Sequence, residues 1–466
     1  MPVIRSFPLK CFLSALSGAI YSAAVPPVGW GWLVFPAIAL LLFVLRGEDG
    51  TKARALGFIH GMVAFGMGLS WLVQLFGPAA VALWTILAAF PALFAHFQGL
   101  AEKRGFAGWR FAVFTTLNWC GWEFIRAELF PLKFPWMGTG LAMGPNVLLP
   151  WIGVYGVGLF VMFGTAWLVS VSWKSPVGYV AVAIALLRFI SPVEAPGEGD
   201  PMALKVAALQ FEGVELEKFL TVSKSLPEGV KHVVWPEYAV SVDTRTDERY
   251  WKQLLDYCAG KGATLTFGTT EELAGENKWR NIAMTMDGGG VRGVHHKNHP
   301  VHFFADGTKG KTAGAVTTEY GKIGTPICFD CDYEGVIRKM TSAGAEAILS
   351  PVMDGKAWTA RQHDQHAELF RIRACENGRW IFSCASSGVS QAVDPRGQVH
   401  ARLGAMEEGT LVSTIRRETQ LTFYTRAGWL VPWCVLAAAV VGWVAVVFLK
   451  RKPVAGANPS PEDPTV

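Results

Sequence analysis

The feature that most limits what this chain can fold into is the segregation of its charge. Up to about residue 192 the sequence is a succession of apolar runs with few charged residues; from about 200 to 425 it reads as ordinary globular sequence; from about 427 to 449 it is apolar again. The runs fall at about 9–25, 29–46, 55–76, 79–100, 109–129, 151–173 and 176–192, with an eighth near the end. Stretches of roughly 20 apolar residues match the hydrocarbon thickness of a bilayer. Over all 466 residues, 51% hydrophobic and 17% charged, the chain is too apolar for one soluble domain and too charged for spans alone. The expected organisation is seven spans in 1–192, a globular domain in 193–425, an eighth span in 426–450 and a disordered tail in 451–466, rich in Pro and small residues.

Basic residues fall in alternate connections, which orients the bundle. Arg5 and Lys10, then Arg46, Lys52 and Arg54, then Lys103, Arg104 and Arg110, then Lys174, and finally Lys450, Arg451 and Lys452 share one side. The short loops around Pro26 and Gly77 have none, and the longer "LFPLKFPWMGTGLAMGPN" has only Lys133. Both termini are therefore expected in the cytoplasm and the globular domain outside it. A cleaved signal peptide is a rival for the first run, and it would leave the domain on the same side.

Within the globular part, β-rich and helical stretches alternate, as expected of layered strands and helices. "ALKVAALQ" and "KHVVWPEYAV" read as strands, "RYWKQLLDYCAGKG" as a helix and "ATLTFGTT" as a strand. "NIAMTMDGGGVRGVHHK" has two strand-like arms about three glycines, a hairpin signal. "KIGTPICF" reads as a buried strand, "YEGVIRKMTSAG" as a helix, "AEAILSPVM" as a strand and "TARQHDQHAELFRIRACENG" as a long helix ending at Gly378. "RWIFSCASSGVSQAVDPRGQVHARL" reads as a second hairpin turning at "DPRG".

The C-x-x-C pair of Cys328 and Cys331 has three readings: a metal clamp, a disulfide, or a nucleophile beside an inert thiol. Cys328 follows a buried strand and precedes a helix, a position where the helix dipole favours thiolate. Glu237 follows a strand and a proline, and Lys297 follows a hairpin arm amid His295, His296, His299 and His302. The histidines lack a familiar zinc spacing, so no metal is expected. A Glu, a Lys and a Cys placed after separate strands suit acyl transfer: the carboxylate takes the thiol proton, the ammonium stabilises the tetrahedral oxyanion and the sulfur is acylated.

The order "WPE", "KNH", "ICFD" resembles the carbon-nitrogen hydrolase, or nitrilase, superfamily, and with the spans around it the chain is similar to the apolipoprotein N-acyltransferase family. "EFIRAELFPLKFPW", the Q-H-x-x-x-A-x-x-R-A-x-E-like helix and "YTRAGW" before the last span add to the resemblance, which covers nearly the full length. It implies a multi-span helical bundle carrying an α-β-β-α sandwich on the periplasmic side of a bacterial inner membrane. It implies Glu237 as base, Lys297 as oxyanion stabiliser and Cys328 as nucleophile, with Trp235, Phe329, Asp330, Asp354 and Arg126 as substrate contacts. A phospholipid would donate the acyl chain and a lipoprotein amine accept it. No cofactor and no nucleic acid is implied, and the expected state is a monomer. For Arg126 the alternative is a structural ion pair with Glu123, three residues earlier on the same helix face.

The sequence departs from the family around the site. "NHPVHFFADG" puts Ala305 where the family has a second glutamate, with Asp306 one residue later. Phe329 and Asp330 replace the usual Tyr-Glu, and "SPVMDGKAW" keeps an aspartate as Asp354. Lys297 and Cys328 are 31 residues apart, a shorter interval than the family's, which implies a trimmed lid. These changes leave open a membrane-tethered amidase that uses water, a different amine acceptor, or a binding protein that has lost activity.

Overall fold

The computed structural model describes residues 4–449 apart from 190, 192, 198 and 274–277. The tail expected to be disordered lies outside the described residues. Helices Phe7–Ala24, Val34–Leu45, Gly50–Gly68, Ala80–Lys103, Gly108–Phe124, Leu149–Ser170 and Pro176–Ala185 precede the globular part, and Val431–Phe448 follows it. Among the described residues, four helical stretches are by length and composition able to cross a membrane: Phe7–Ala24, Leu72–Lys103, Leu149–Ser170 and Gly428–Phe448. Gly31–Leu45 and Pro176–Ala185 are apolar but shorter. The run expected at 55–76 is broken after Gly68 and resumes as a short helix, Leu72–Phe76. The run expected at 176–192 stops being helical at Ala185.

The globular part holds two six-stranded sheets. The strands in chain order are β1 Ala203–Gln210, β2 His232–Val234, β3 Thr264–Glu272, β4 Trp279–Asp287, β5 Gly290–His296, β6 Val316–Thr318, β7 Gly321–Gly324, β8 Ala347–Val352, β9 Ile381–Ala385, β10 Ser390–Val393, β11 Val399–Leu403 and β12 Gly409–Arg416. One sheet runs β12-β1-β2-β3-β4-β5 and the other β11-β10-β9-β8-β7-β6. Each has a parallel centre, β1-β2-β3 and β7-β8-β9, with antiparallel flanks.

Strand alternation shows why these residues make four layers. In β1, Val206 and Ala208 join Leu349, Trp380 and Phe382 in a core between the sheets, while Ala207 and Leu209 face the helix side with Phe219 and Leu254. A strand buried on both faces reads as a continuous apolar run, as "VAAL" does. Helices Leu216–Lys224 and Glu248–Lys261 cover the first sheet, and Glu334–Ser342 and Thr359–Asn377 the second. The result is the α-β-β-α sandwich expected.

Three strand expectations need correction. The extended part of "KHVVWPEYAV" is only His232–Val234, and that of "KIGTPICF" only Gly321–Gly324. In both, proline starts the departure from the ladder, because it has no N–H to donate. "RWIFSCASSGVSQAVDPRGQVHARL" is a three-stranded meander, β9-β10-β11, with a second turn through Ser386–Val389.

Helix Thr359–Asn377 joins the two parts of the chain. Leu369 and Ile372 pack into the core of the helical bundle, whereas Phe370 and Ala374 pack under the second sheet. Arg373 and Glu376, the R-A-x-E pair, form a fully buried ion pair at 2.5 Å. The helix Leu149–Ser170 unwinds at Gly153 (φ 65°), which frees the Val154 N–H to donate to Glu376 at 2.7 Å. A side chain at Gly153 would take a strained conformation and strike Tyr424.

Candidate active site

Two loops and a strained turn bring the three chemistry-bearing residues together. Glu237 leaves β2 through Trp235-Pro236 and is buried. Its loop crosses directly over Gly268 of β3, where a Cβ would collide with the Glu237 backbone. Lys297 follows β5, and its Nζ lies 2.7 Å from Glu237 Oε1 and 2.6 Å from Asp306 Oδ2. Cys328 follows β7 with φ 46°, the left-handed region that a residue with a side chain occupies at a cost of about 1–3 kcal/mol. Such strain is held only where the surroundings over-determine it. Met353, just past β8, provides the link: its N–H donates to Glu237 Oε2 at 3.0 Å and its carbonyl accepts the Cys328 thiol at 3.8 Å.

Asp306 supplies the second carboxylate whose apparent loss the sequence implied. Its Oδ1 accepts the Tyr238 hydroxyl at 2.6 Å and Asn281 Nδ2 at 2.8 Å, and its Oδ2 accepts the Val301 N–H at 2.7 Å. Asn281 also donates to Glu237 Oε1 at 2.5 Å. A one-residue offset along a loop is absorbed because Tyr238 after β2, Asn281 in β4 and Lys297 after β5 reach Asp306 across space, with no helical or strand period to keep.

Burial opposes the charge on Lys297, but Glu237 and Asp306 outweigh it and hold the ammonium strongly protonated. Burial pushes Glu237 above the usual carboxylate range, with Lys297 pulling the other way. Burial also raises the Cys328 thiol well above its ordinary value, Glu237 adds to this, and Lys297 opposes it. The resting site is thus a neutral thiol beside a lysine ion-paired to two carboxylates.

Cys328 opens onto an apolar cavity walled by both parts of the chain. Trp71, Leu75 and Leu83 come from the helical part, and Val301, Phe304 and Trp358 from the sandwich. Glu237 and Lys297 do not line it, so the sulfur is the group of the three that faces the apolar space. The shortened stretch after Lys297 contributes Phe303 and Phe304, whose rings pack against Phe76 at 6.0 and 5.7 Å.

On the cavity's polar wall, His366 sits between two buried carboxylates, with Nδ1 2.9 Å from Asp354 Oδ2 and Nε2 3.2 Å from Asp332 Oδ1. Trp136, from "KFPW", donates to Asp332 at 2.5 Å and stacks on His366 with ring centroids 6.1 Å apart. Burial acts against protonation of His366, but Asp354 and Asp332 prevail and raise its pKa well above 6.5. Cys328, Asp354 and His366 are the described residues whose ligand atoms all lie within 4.8 Å of one another. The Nδ1 side of His366 is taken up by Asp354, at 3.0 and 2.9 Å from its two oxygens.

His366 implies a measurable pH effect. A histidine with a raised folded-state pKa contributes stability that is fully present below its unfolded value, about 6.5, and is lost as pH rises through the folded value. His366→Gln should therefore cost most in melting temperature at about pH 5–6, with the gap to wild type narrowing as pH rises. A gap that widens with pH would contradict a protonated His366.

The remaining expected site residues divide. Phe329 and Asp354 line the cavity. Trp235 does not; it is wholly buried in the core of the first sheet, stacked 5.1 Å from Phe219 and donating to Ser223 at 3.0 Å. Asp330 turns away from the cavity to accept from the backbone of Asn298 and His299, at 2.9 and 2.8 Å, and lies 2.9 Å from His295 Nε2. It clamps the loop behind Lys297, and of the four neighbouring histidines only His302 reaches the cavity. Arg126 does not form the ion pair with Glu123. Its guanidinium donates to the carbonyls of Phe134 and Trp136 at 2.7 and 2.9 Å, while Glu123 accepts from Thr139 and Trp119. Arg126 holds the loop that presents Trp136, so Arg126→Ala should lower thermal stability and weaken the Trp136–Asp332 contact. Unchanged stability with a raised Michaelis constant for lipid would instead favour a headgroup contact.

Cys331 is buried, with Sγ 3.5 Å from Ser350 Oγ, and neither it nor Cys328 is in a disulfide. His366, Asp332, Trp136 and Asn281 were not singled out from the sequence, although His366 and Trp136 lie within the two stretches that carried the resemblance.

A four-layer sandwich with a buried Glu, Lys and Cys at the ends of its strands defines the carbon-nitrogen hydrolase class. Residues 205–422 match the carbon-nitrogen hydrolase family model, and residues 17–167 match that of the apolipoprotein N-acyltransferase N-terminal domain. The chain belongs to the apolipoprotein N-acyltransferase family: the two models between them cover most of it, and bacterial relatives of that name align over most of its length. It is 25% identical to the apolipoprotein N-acyltransferase of Geobacter metallireducens, covering 97% of this chain and 98% of the relative. It is 26% identical to those of Pseudomonas paraeruginosa (88% and 91%) and Methylococcus capsulatus (95% and 97%). Among solved structures, Saccharomyces cerevisiae Nit3, a nitrilase-superfamily member, aligns over 46% of this chain and 90% of its own at 22% identity and a TM-score of 0.41.

Proposed function

We propose that the protein transfers a fatty acyl chain from a phospholipid to the α-amino group of an N-terminal diacylglyceryl cysteine on a lipoprotein, through a thioester at Cys328. The observation that carries this reading is the placement of Cys328 between an apolar cavity shared with the helical bundle and the Glu237–Lys297–Asp306 group behind it.

In the first step Glu237 accepts the thiol proton as Sγ bonds to the ester carbonyl carbon. The Lys297 ammonium has three N–H donors; two face carboxylates, and the third serves the oxyanion. The tetrahedral intermediate collapses, the bond to the glycerol oxygen breaks, and Glu237 returns the proton to that oxygen, releasing a lysophospholipid. In the second step the neutral amine attacks the thioester, Glu237 takes its proton, and the thiolate leaves and is reprotonated. The net change is one ester consumed and one amide formed.

The cavity's position explains the use of a membrane. Moving each methylene of an acyl chain into water costs about 0.8 kcal/mol, so both lipid substrates are best handled where the cavity meets the bilayer. In this reading the helical part lies in the inner membrane with both termini cytoplasmic, and the sandwich is periplasmic. A reporter active only in the cytoplasm, fused at the exposed Gly213, should be silent; strong signal would reverse the orientation.

Purified protein given labelled phospholipid should form acyl-enzyme and release one lysophospholipid. Turnover should then depend on an added diacylglyceryl-cysteine peptide and produce its N-acylated form by mass spectrometry. Steady release of free fatty acid without the peptide would show a hydrolase and overturn the transferase reading.

A further inference from the structure

Helix Thr359–Asn377 has two working faces. Gln362 and His366, one turn apart, line the cavity at Cys328. Asp364, Glu368 and Arg371 lie on the opposite side of the helix by its 3.6-residue period, and they line a second cavity, open to solvent. Its other walls are the segment after helix Phe7–Ala24, the turn before helix Leu149–Ser170, the segment after helix Pro176–Ala185, and the loop between β10 and β11.

Four guanidiniums line this space, from Arg188, Arg371, Arg396 and Arg402, against two carboxylates, Asp364 and Glu368. Arg371 spends Nη1 on both oxygens of Glu368, at 2.8 and 2.9 Å, and Arg402 pairs with Asp364 at 2.7 Å. Arg188 and Arg396 have no carboxylate partner among the described residues. Each makes one hydrogen bond to a backbone carbonyl, Arg188 to Pro145 at 2.8 Å and Arg396 to Ser191 at 2.6 Å. Most of their N–H donors are thus free, in forks whose planar geometry matches a phosphate.

The surroundings identify the kind of anion. Val28, Trp30 and Leu187, within a few residues of the cavity wall, are exposed apolar side chains (44, 60 and 48%) at the ends of helices on the same side as the sandwich. A small free anion or an acidic peptide would use the arginines and leave these side chains in water. A molecule with an anionic head and an apolar tail uses both.

We propose that this cavity is a second lipid site, separate from the acyl cavity, which binds the phosphate of an anionic phospholipid through Arg188 and Arg396. The proposal rests on the helix ends lying at the bilayer surface; it does not depend on the acyl-transfer chemistry. The bound lipid would brace helix Thr359–Asn377 from behind while its other face positions His366 at Cys328.

The full-length protein would be placed in nanodiscs of phosphatidylcholine containing a minor share of phosphatidylglycerol, and the lipids retained would be read by native mass spectrometry. Arg188→Gln/Arg396→Gln should reduce phosphatidylglycerol adducts about tenfold, the loss of two charge-assisted contacts, with phosphatidylcholine adducts unchanged. Asp364→Asn, which removes a competing carboxylate, should increase them, so the test does not rest on one variant. Equal adducts in wild type and the double variant would overturn the proposal, as would displacement of the lipid by millimolar inorganic phosphate or by an acidic peptide. Hydroxylamine-sensitive acyl label on Cys328, measured in the same samples, reports separately on the transfer chemistry.

Discussion

Cys328→Ala should abolish both acyl-enzyme and product, a loss on the order of 10⁴-fold or more in turnover, since removing a nucleophile leaves only binding and oxyanion stabilisation. Cys331→Ser should keep substantial activity. The two thiols are three residues apart and both buried, yet only Cys328 borders the apolar cavity, while Cys331 faces Ser350 beneath the sheet. The check is mass spectrometry after incubation with phospholipid alone: the acyl mass should sit on the peptide containing Cys328 and be released by hydroxylamine, as a thioester is. Label persisting in Cys328→Ala, or a stable Cys328–Cys331 disulfide in active protein, would remove the nucleophile assignment and the mechanism with it.

Lys297→Met should be nearly as severe for activity and also costly for folding. With the ammonium gone, Glu237 and Asp306 remain buried near each other without their shared cation, and breaking a buried pair in this way costs roughly 3–5 kcal/mol. At neutral pH the variant should melt well below wild type. At acidic pH part of the deficit should return, because a proton shared between the carboxylates replaces the lost charge. A variant as stable as wild type at neutral pH would mean that Lys297 does not hold the two carboxylates together. Asp306→Asn should be milder, since Asn can still accept from Tyr238 or Val301 while Lys297 keeps Glu237.

Much of this architecture was legible before any coordinates. The split between an apolar helical part and a globular part is a one-dimensional signal, because apolar composition is uniform along each run. The hairpin at "DGGG" and the end of the long helix at Gly378 were equally local: Gly290 and Gly378 both adopt positive φ, which glycine does at little cost. Glu237, Lys297 and Cys328 were picked out because each follows a recognisable element in a recognisable order, and the structure brings them together.

Other parts of the site were not legible, for identifiable reasons. Trp235 stands beside Glu237 in sequence, but alternation about Pro236 sends it into the core. Asp330 neighbours Cys328, but the short helical turn Cys328–Asp332 points its carboxylate back at the Lys297 loop. Arg126 and Glu123 have the spacing of an ion pair, but the chain leaves the α-helix at Ile125 for a wider turn, and backbone carbonyls and hydroxyls nearby satisfy both.

The sequence alone determined the division into a membrane bundle and a sandwich, the order of the elements, and the three residue types at the strand ends. Each of these follows from local composition, period and turn chemistry. Only the tertiary structure decided that Asp306 serves as the second carboxylate, that His366 is caught between Asp332 and Asp354, and that the acyl cavity and the arginine-lined cavity lie on opposite faces of one helix. Those facts depend on groups far apart in the chain meeting at hydrogen-bond distance, and no periodicity along the sequence encodes a distance across it.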